Sequence, residues 1–317
     1  MLPSHQGSFR LFRFAGIDVY LHWSWFLVAF LAYQMRRGHY ESPLWNILEY
    51  LALFVIVLLH EFGHSLACRQ VGGQANQIIL WPLGGVAYVS PPQRPGAMLW
   101  SIAAGPLVNV VLMPVFVMLV FLGGSLGWVD TRTDLYEFVV SLAYINGGLL
   151  FFNLLPVYPL DGGQILRSLL WFMLGRARSL MAASIVGLVG GIALAAFLVL
   201  QYFASKESKL SENEIWFGIL LAFILMNCWN GLMQARALAR MEATPRRSGF
   251  ACPVCKTAPP VGEFWLCGKC RKPFDAFATR AVCPHCNAAF GVAMCVECRT
   301  VRPIEDWIIP PPLPPNA

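Results

Sequence analysis

Six segments of the chain are apolar and long enough to cross a membrane as helices. They lie at roughly 16–35, 45–67, 97–123, 136–155, 180–204 and 213–236. A bilayer core of about 30 Å requires about 20 apolar residues per helix. A buried helix of a soluble protein can explain one such segment, but six in succession favour a membrane protein. The composition agrees, because 57% of the 317 residues are hydrophobic and only 13% are charged.

We therefore predict an α-helical polytopic membrane protein with about six transmembrane helices and a small cytoplasmic zinc-ribbon domain. The fourth segment continues to about residue 174, but Pro156 and Pro159 should break it, because proline disrupts a helix. The first segment ends without a small-residue cleavage pattern. We expect it to be a retained span and not a removable signal peptide.

Basic residues are unevenly distributed between the two sides of the predicted spans. With the N-terminus in the cytoplasm, ten fall on the cytoplasmic side and five on the other. The cytoplasmic set is Arg10, Arg13, Arg69, Arg94, Arg176, Arg178, Arg236, Arg240, Arg246 and Arg247. The opposite set is Arg36, Arg37, Arg132, Lys206 and Lys209. Because basic loops favour the cytoplasm, we predict cytoplasmic N- and C-termini in the cell (inner) membrane.

Residues 68–96 form a longer segment between the second and third spans. The stretch from Ile78 to Val89 is rich in β-forming residues, with Pro82-Leu83-Gly84-Gly85 as a turn. This pattern predicts a β-hairpin or a re-entrant segment. An extended substrate could pair with such a hairpin by strand addition.

The motif His60-Glu61-Phe62-Gly63-His64 follows ten uninterrupted apolar residues, Tyr50 to Leu59. Residues i and i+4 of a helix share a face, so both imidazoles can reach one zinc ion and Glu61 can reach a metal-bound water. Ionisable residues in a membrane span are costly and indicate a functional site. The alternative is a helix end at which the histidines meet the interface.

Catalytic zinc requires a third protein ligand. The candidate is Asp161, which follows Pro156 and Pro159 and precedes two glycines. Aspartate is also a common helix N-cap, and the spacing alone leaves both roles open. The ligand role is favoured because the histidine motif otherwise lacks a third ligand.

These motifs together resemble the site-2 protease family of intramembrane metalloproteases. The resemblance rests on His60–His64 and on the segment from Asn153 to Gly163, which ends in Leu160-Asp161-Gly162-Gly163. It extends to Gly16–Ser24 and to Ala104–Asn109, and covers about residues 10 to 235. The six-span layout is similar to the branch that includes the sporulation sigma-factor-processing protease.

The resemblance implies an intramembrane zinc endopeptidase that hydrolyses peptide bonds within or next to transmembrane segments of other proteins. In that reading His60, His64 and Asp161 hold a catalytic zinc ion, and Glu61 is the catalytic base. The alternatives are a catalytically silent relative that binds membrane proteins, a membrane-anchored zinc-ribbon adaptor, and a prenyl-protein processing enzyme. The last would use a glutamate ligand, which the Asp161 segment disfavours.

Three further residues are candidates for substrate binding. The resemblance implies that Asn153 and Pro159 lie near the substrate. Asn109 or Asn153 could stabilise the oxyanion, but an interhelical hydrogen bond explains Asn109 equally well. His22 could be a ligand or a gate, and we favour a capping role beside an aromatic belt.

Eight of the ten cysteines lie in four Cys-x-x-Cys knuckles. Paired knuckles supply the four thiolates of a structural zinc site, and the pattern resembles a double zinc ribbon. We assign Cys252, Cys255, Cys267 and Cys270 to the first ribbon and Cys283, Cys286, Cys295 and Cys298 to the second. Iron is the less favoured metal, and disulfides are disfavoured in the reducing cytoplasm.

The predicted organisation is a protease domain at 1–240, a linker at 241–250, the double ribbon at 251–302 and a Pro-rich tail at 303–317. The expected partners are a transmembrane substrate, the lipid bilayer and a cytoplasmic protein bound by the ribbon. The basic residues of the ribbon form no stripe, so nucleic acid is not favoured.

Overall fold

The structure is a computed structural model that describes residues 7–81, 84–127, 133–204 and 212–309. The chain separates into two compact units, Met1–Arg236 and Ala237–Ala317. The predicted turn residues Pro82 and Leu83 and the last eight residues, 310–317, lie outside the described part.

The first unit is mostly helical, which confirms the predicted fold class. The helices are α1 (Ser24–Met35), α2 (Pro43–Gln70), α3 (Pro95–Ser125), α4 (Asp134–Leu154), α5 (Asp161–Leu174), α6 (Arg176–Ala204) and α7 (Glu212–Ala243). Five of them, α2, α3, α4, α6 and α7, contain a stretch long and apolar enough to cross a membrane. The break predicted in the fourth segment lies between α4 and α5.

The first predicted span differs from the prediction. Residues Ile17–His22 form strand β2, and only the twelve residues of α1 are helical. At 1.5 Å per residue α1 is about 18 Å long, which is too short for a bilayer core of about 30 Å. The alternating residues Ile17 and Val19 are fully buried, so sheet pairing outweighs helix formation here. The described residues therefore contain five candidate spanning helices and not six.

A four-stranded sheet packs against α2. Its strands are β1 (Ser8–Phe14), β2 (Ile17–His22), β3 (Gln74–Trp81) and β4 (Gly84–Ser90), in the order β1-β2-β3-β4. Strand β2 runs parallel to β3, and the other neighbours are antiparallel. The hairpin predicted between Ile78 and Val89 is thus confirmed as β3–β4, and β4 forms an edge of the sheet.

The buried face of the sheet meets the middle of α2. Ile17, Val19, Ile78 and Leu80 pack in one cluster with Trp25, Val57 and Phe62. Since Phe62 lies within the His60–His64 motif, the sheet supports the helix at the level of that motif.

The second unit is built from two small hairpins around an aromatic core. Its strands are β5 (Trp265–Leu266), β6 (Pro273–Phe274), β7 (Val292–Met294) and β8 (Val301–Pro303), followed by a 3-10 helix at Ile304–Trp307. The tail predicted from residue 303 begins later, because Trp307 is buried in this core and its carbonyl accepts the Ala251 N–H at 2.8 Å.

The predicted linker at 241–250 is also not a separate segment. Residues 241–243 belong to α7. Arg246 pairs with Glu297 at 2.8 Å and Arg247 pairs with Asp275 at 2.6 Å, so both are held within the second unit.

Helices α2 and α3 approach each other closely at Gly63. A Cβ atom at this position would lie 2.6 Å from the Ala104 carbonyl oxygen and 2.9 Å from Val108 Cγ2. Because the nearest atom belongs to the backbone, a side chain can be accommodated only if the helices separate.

Gly63→Ala is therefore expected to lower the stability of the protein in detergent. Overpacking of this kind costs about 1–3 kcal/mol. The control is Gly190→Ala, where a Cβ atom would meet nothing within 4 Å and where alanine should be neutral or stabilising. Thermal unfolding of both variants is the measurement, and an unchanged midpoint for Gly63→Ala would contradict the close approach.

Candidate metal centres

His60, His64 and Asp161 converge on one point. Their Nε2, Nε2 and Oδ2 atoms are separated by 3.0 Å (His60–Asp161), 3.1 Å (His60–His64) and 3.2 Å (His64–Asp161). The two imidazoles are about 5% exposed. The carboxylate, one hundred residues along the chain, is brought to them by the start of α5.

A chain of hydrogen bonds fixes the tautomer of His60. The Asn146 side-chain amide donates to the Asn109 backbone carbonyl at 2.9 Å, which can only accept. The Oδ1 atom of Asn146 therefore accepts from Asn109 Nδ2 at 2.8 Å. Asn109 Oδ1 then faces His60 Nδ1 at 2.7 Å, so this nitrogen is the donor. The Nε2 atom of neutral His60 consequently carries a lone pair.

His64 is fixed in the same tautomer by the backbone. Its Nδ1 donates to the Ser101 carbonyl oxygen at 2.9 Å, leaving a lone pair on Nε2. Two nitrogen lone pairs and one carboxylate oxygen thus face each other with no donor of their own. Such a group is stabilised by a cation at its centre.

The donor set fits zinc. Zinc prefers imidazole nitrogen and carboxylate oxygen ligands, and bonds of about 2.0–2.1 Å in a tetrahedron place ligand atoms about 3.3 Å apart. The observed separations of 3.0–3.2 Å are close to this value. Hydrogen bonds from Nδ1 to an amide and to a carbonyl oxygen are the usual second layer of a histidine metal site.

Glycines allow the backbone to close around these side chains. A Cβ atom on Gly105 would lie 2.2 Å from His64 Nε2 and 2.8 Å from His60 Nε2. Gly162 and Gly163 lie against the backbone of residues 154–158, where a Cβ atom would come within 2.4 Å. The loop between α4 and α5 can therefore fold tightly over the start of α5 and present Asp161. This carboxylate is the first residue of α5, and the N-cap is Leu160 without a side-chain cap bond.

Glu61 lies beside His60 on α2 and is only 5% exposed. A buried carboxylate adjacent to a metal-ligand set is the arrangement expected of a proton-transferring group.

The substrate-binding candidates have different environments. Asn109 is fully buried, and both ends of its side chain are used by His60 and Asn146. The interhelical hydrogen bond, one of the two roles considered for Asn109, is therefore formed, and the substrate contact stays a prediction. Asn153 and Pro159 are half-buried in the segment that leads to Asp161. His22 Nδ1 accepts the Ser24 N–H at 3.3 Å at the start of α1, the geometry of a cap.

Three residues of the site were not predicted from the sequence in these roles: Asn146, Ser101 and Gly105. Asn146 is fully buried in a spanning helix. A polar residue in such a helix is a functional signal, so this one could have been found. Ser101 acts through its backbone carbonyl, which leaves no signal in the sequence.

The eight cysteines of the second unit form two groups, but not the predicted ones. The first and fourth knuckles combine Cys252, Cys255, Cys295 and Cys298, and the inner knuckles combine Cys267, Cys270, Cys283 and Cys286. The predicted pairing of consecutive knuckles is corrected to this nested one. The reason is that the two ends of the unit lie together. Phe250, just before the first knuckle, forms a β-bridge with Ile308, which follows the fourth knuckle.

Both cysteine groups fit a tetrahedral metal. The nearest sulfur atoms are 3.5–3.7 Å apart, whereas Zn–S bonds of about 2.3 Å place them about 3.8 Å apart. All eight thiols are free. The Cys270 N–H donates to Cys267 Sγ at 3.4 Å and lowers the pKa of the Cys267 thiol to about 6, which favours the thiolate that binds metal.

Comparisons with known proteins find similarity to zinc metalloproteases. A model of peptidase family M50 matches residues 49–134 and 128–198. A zinc metalloprotease of Methanocaldococcus jannaschii is 32% identical over 234 residues, which cover 69% of this chain and 66% of that protein. Rip3 of Mycobacterium tuberculosis is 29% identical over 251 residues, covering 68% of this chain and 63% of its own length. The chain thus spans less than two thirds of the length of either relative. A solved structure, the site-2 protease from M. jannaschii, has 26% identity and a TM-score of 0.47, covering 71% of this chain and 95% of that one.

The nested pairing predicts which cysteine variants lose the same metal ion. The double variant Cys252→Ser/Cys298→Ser should lose one equivalent of zinc, because both residues belong to one site. Cys252→Ser/Cys270→Ser should lose two. Consecutive pairing would reverse these results, so zinc content per chain, measured by mass spectrometry on the purified variants, decides between them.

Proposed function

Because the chain belongs to peptidase family M50, the site-2 protease family of membrane zinc metalloproteases, we propose that it is an intramembrane zinc endopeptidase. Its reaction is hydrolysis of peptide bonds within or next to transmembrane segments of other membrane proteins, as in regulated intramembrane proteolysis. The observation that carries the proposal is the convergence of two imidazoles and a carboxylate beside a buried glutamate, in a unit with five helices long enough to cross a membrane.

In this proposal His60, His64 and Asp161 hold the catalytic zinc. When bound, the ion lowers the pKa of a water molecule toward about 7 and polarises the scissile carbonyl group. Asn109 and the Ser101 carbonyl hold the two imidazoles in the tautomer that a ligand requires. Asn146 acts indirectly, because it orients the Asn109 side chain that bonds His60.

Glu61 is the general base and then the general acid. It takes a proton from the attacking water and returns it to the nitrogen of the departing amine, so the carboxylate is regenerated in each cycle. Its burial in the mostly apolar helix α2 limits competing water, and it directly follows His60 in the chain.

Asn153 and Pro159 are assigned to substrate positioning. They lie on the segment that joins α4 to Asp161, so a substrate held there is next to the reacting group. Asn153 has no hydrogen-bond partner for its side chain among the described residues, which supports a contact with substrate backbone.

An extended substrate segment can also pair with strand β4. This strand is an edge of the sheet, with β3 on one side. A helical substrate hides its peptide bonds, and pairing with β4 would hold it unwound by backbone hydrogen bonds.

The topology we propose places both termini in the cytoplasm of a cell with the protein in its inner membrane. Five spanning helices alone would place the termini on opposite sides. The sheet lies at the C-terminal end of α2, since β3 follows Gln70, and β2 pairs with β3. In this topology the segment made of β2 and α1 runs from that side to the N-terminal end of α2. It adds one crossing to those of the five spanning helices, so that both termini lie on the same side.

We also propose that the second unit is a cytoplasmic double zinc ribbon that follows the protease domain and holds two structural zinc ions. Small units of this kind depend on metal for folding. A cytoplasmic protein partner for the ribbon is part of the proposal.

Glu61→Gln is expected to retain the catalytic zinc but to lose about 10²–10⁴-fold in cleavage rate, because a general base is removed and the ligands are kept. Asp161→Ala should lose both cleavage and one equivalent of zinc. The assay is co-expression or reconstitution with candidate single-span substrates, together with zinc analysis. Glu242→Gln, at an exposed carboxylate near the end of α7, is the control and should stay active. Full activity of Glu61→Gln would refute the mechanism.

Proline substitutions along β4, at Val86, Ala87, Tyr88 and Val89 in turn, test the strand-addition step. Variants with proline at a position whose N–H faces away from β3 should cleave substrate more slowly, because only a hydrogen bond to the substrate is removed. These variants should stay folded and keep their zinc. Positions whose N–H bonds β3 should lose stability as well. Cleavage that is unchanged at every outward-facing position would count against pairing at this edge.

A further inference from the structure

The hairpin formed by β5 and β6 carries three basic residues and no acidic one. This basic hairpin, Trp265–Phe274, contains Lys269, Arg271 and Lys272, all of which are exposed. The exposed acidic residues among the described part of the second unit, Glu242, Glu263, Glu305 and Asp306, lie outside it. The partly buried acids Glu297 and Asp275 are already paired with Arg246 and Arg247. The hairpin is thus a local cationic surface.

The same hairpin exposes an apolar side chain beside these cations. Trp265 pairs with Phe274 and Leu266 pairs with Pro273. Side chains alternate between the two faces of a strand. Trp265 and Phe274 are buried in the core of the unit, whereas Leu266 is 73% exposed. Contact between this exposed leucine and an apolar partner would be favourable, because it removes apolar surface from water.

Chain connectivity keeps the second unit near a membrane. The candidate span in α7 ends at Ala243, and Arg246 is already fixed to Glu297 within the unit. Only Thr244 and Pro245 lie between them. The three Cα–Cα steps from Ala243 to Arg246 reach at most about 11 Å, so the unit stays within reach of the lipid headgroups.

We propose that the basic hairpin docks on an anionic bilayer surface. Leu266 enters the boundary between headgroups and acyl chains, and Lys269, Arg271 and Lys272 contact lipid phosphates. This combination of a buried apolar group and adjacent cations is how peripheral segments bind anionic membranes. A nucleic-acid surface would present exposed aromatic rings for base stacking, whereas the outer face of this hairpin carries leucine and proline. The proposal is independent of proteolytic activity.

The test uses the full chain in nanodiscs of neutral phosphatidylcholine or of the same lipid mixed with anionic phosphatidylglycerol. Hydrogen exchange of peptides covering 265–274 should be several-fold slower in the anionic discs, and high salt should abolish the difference because it screens the charges. Each basic residue near an anionic leaflet gives about a fivefold preference for docking, so Lys269→Gln/Arg271→Gln/Lys272→Gln should lower the docked ratio on the order of 100-fold. Leu266→Ser should also reduce the protection.

The matched control removes three exposed cations elsewhere in the unit, Lys256→Gln/Arg280→Gln/Arg299→Gln, and should leave most of the protection in place. Unchanged zinc content in each variant shows that the unit is folded. Three outcomes would overturn the proposal. They are equal exchange in neutral and anionic discs, an equal effect of the control variant, and protection that arises with added RNA but not with anionic lipid.

Discussion

Three groups with free electron pairs, on His60, His64 and Asp161, meet inside a bundle of apolar helices, and much of the first unit serves to hold them there. Lone pairs that face each other repel, and an apolar environment strengthens that repulsion. A cation bound between these groups would remove the repulsion. The surrounding hydrogen bonds hold each imidazole in one tautomer, so a change of tautomer cannot remove it. The network uses backbone carbonyls as its fixed points, at Asn109 and Ser101. Because a backbone carbonyl can only accept, the direction of every bond between it and the site is determined.

The centre of this site could be predicted from the sequence, and its surroundings only in part. His60, Glu61 and His64 follow from helical periodicity, and Asp161 from the need for a third ligand in an apolar context. The prediction was wrong for residues 16–35, because their apolar composition suits a span or a buried strand equally. The long-range pairing of β2 with β3 decides between the two, and no local pattern records it. For Asn109 the sequence leaves two roles open, and only its position opposite Asn146 shows that the interhelical hydrogen bond forms.

The cysteine knuckles show a similar limit. Each knuckle is a local structure, closed by the same pair of backbone hydrogen bonds, as between Cys252 and Thr257 and between Lys256 and Cys252. Spacing therefore identifies the four knuckles without ambiguity. How they combine depends on the aromatic core, where Trp265, Phe274, Phe277 and Trp307 pack with cysteines of both groups. The two sites thus share one core, and their pairing is set by the fold of the whole unit and not by the spacing of neighbouring knuckles.

The parallel pairing of β2 with β3 has a consequence for biosynthesis. The two strands are separated by α1 and α2, so their register cannot form until the whole of α2 has left the ribosome and entered the bilayer. Before then the β1–β2 hairpin has an open edge, which is a template for wrong pairing. Such distant pairings form late, because the entropy of a long loop must first be overcome. The β2 edge therefore stays open until α2 and β3 have been made, and the sheet can close only after the helix with the histidine motif has been synthesised.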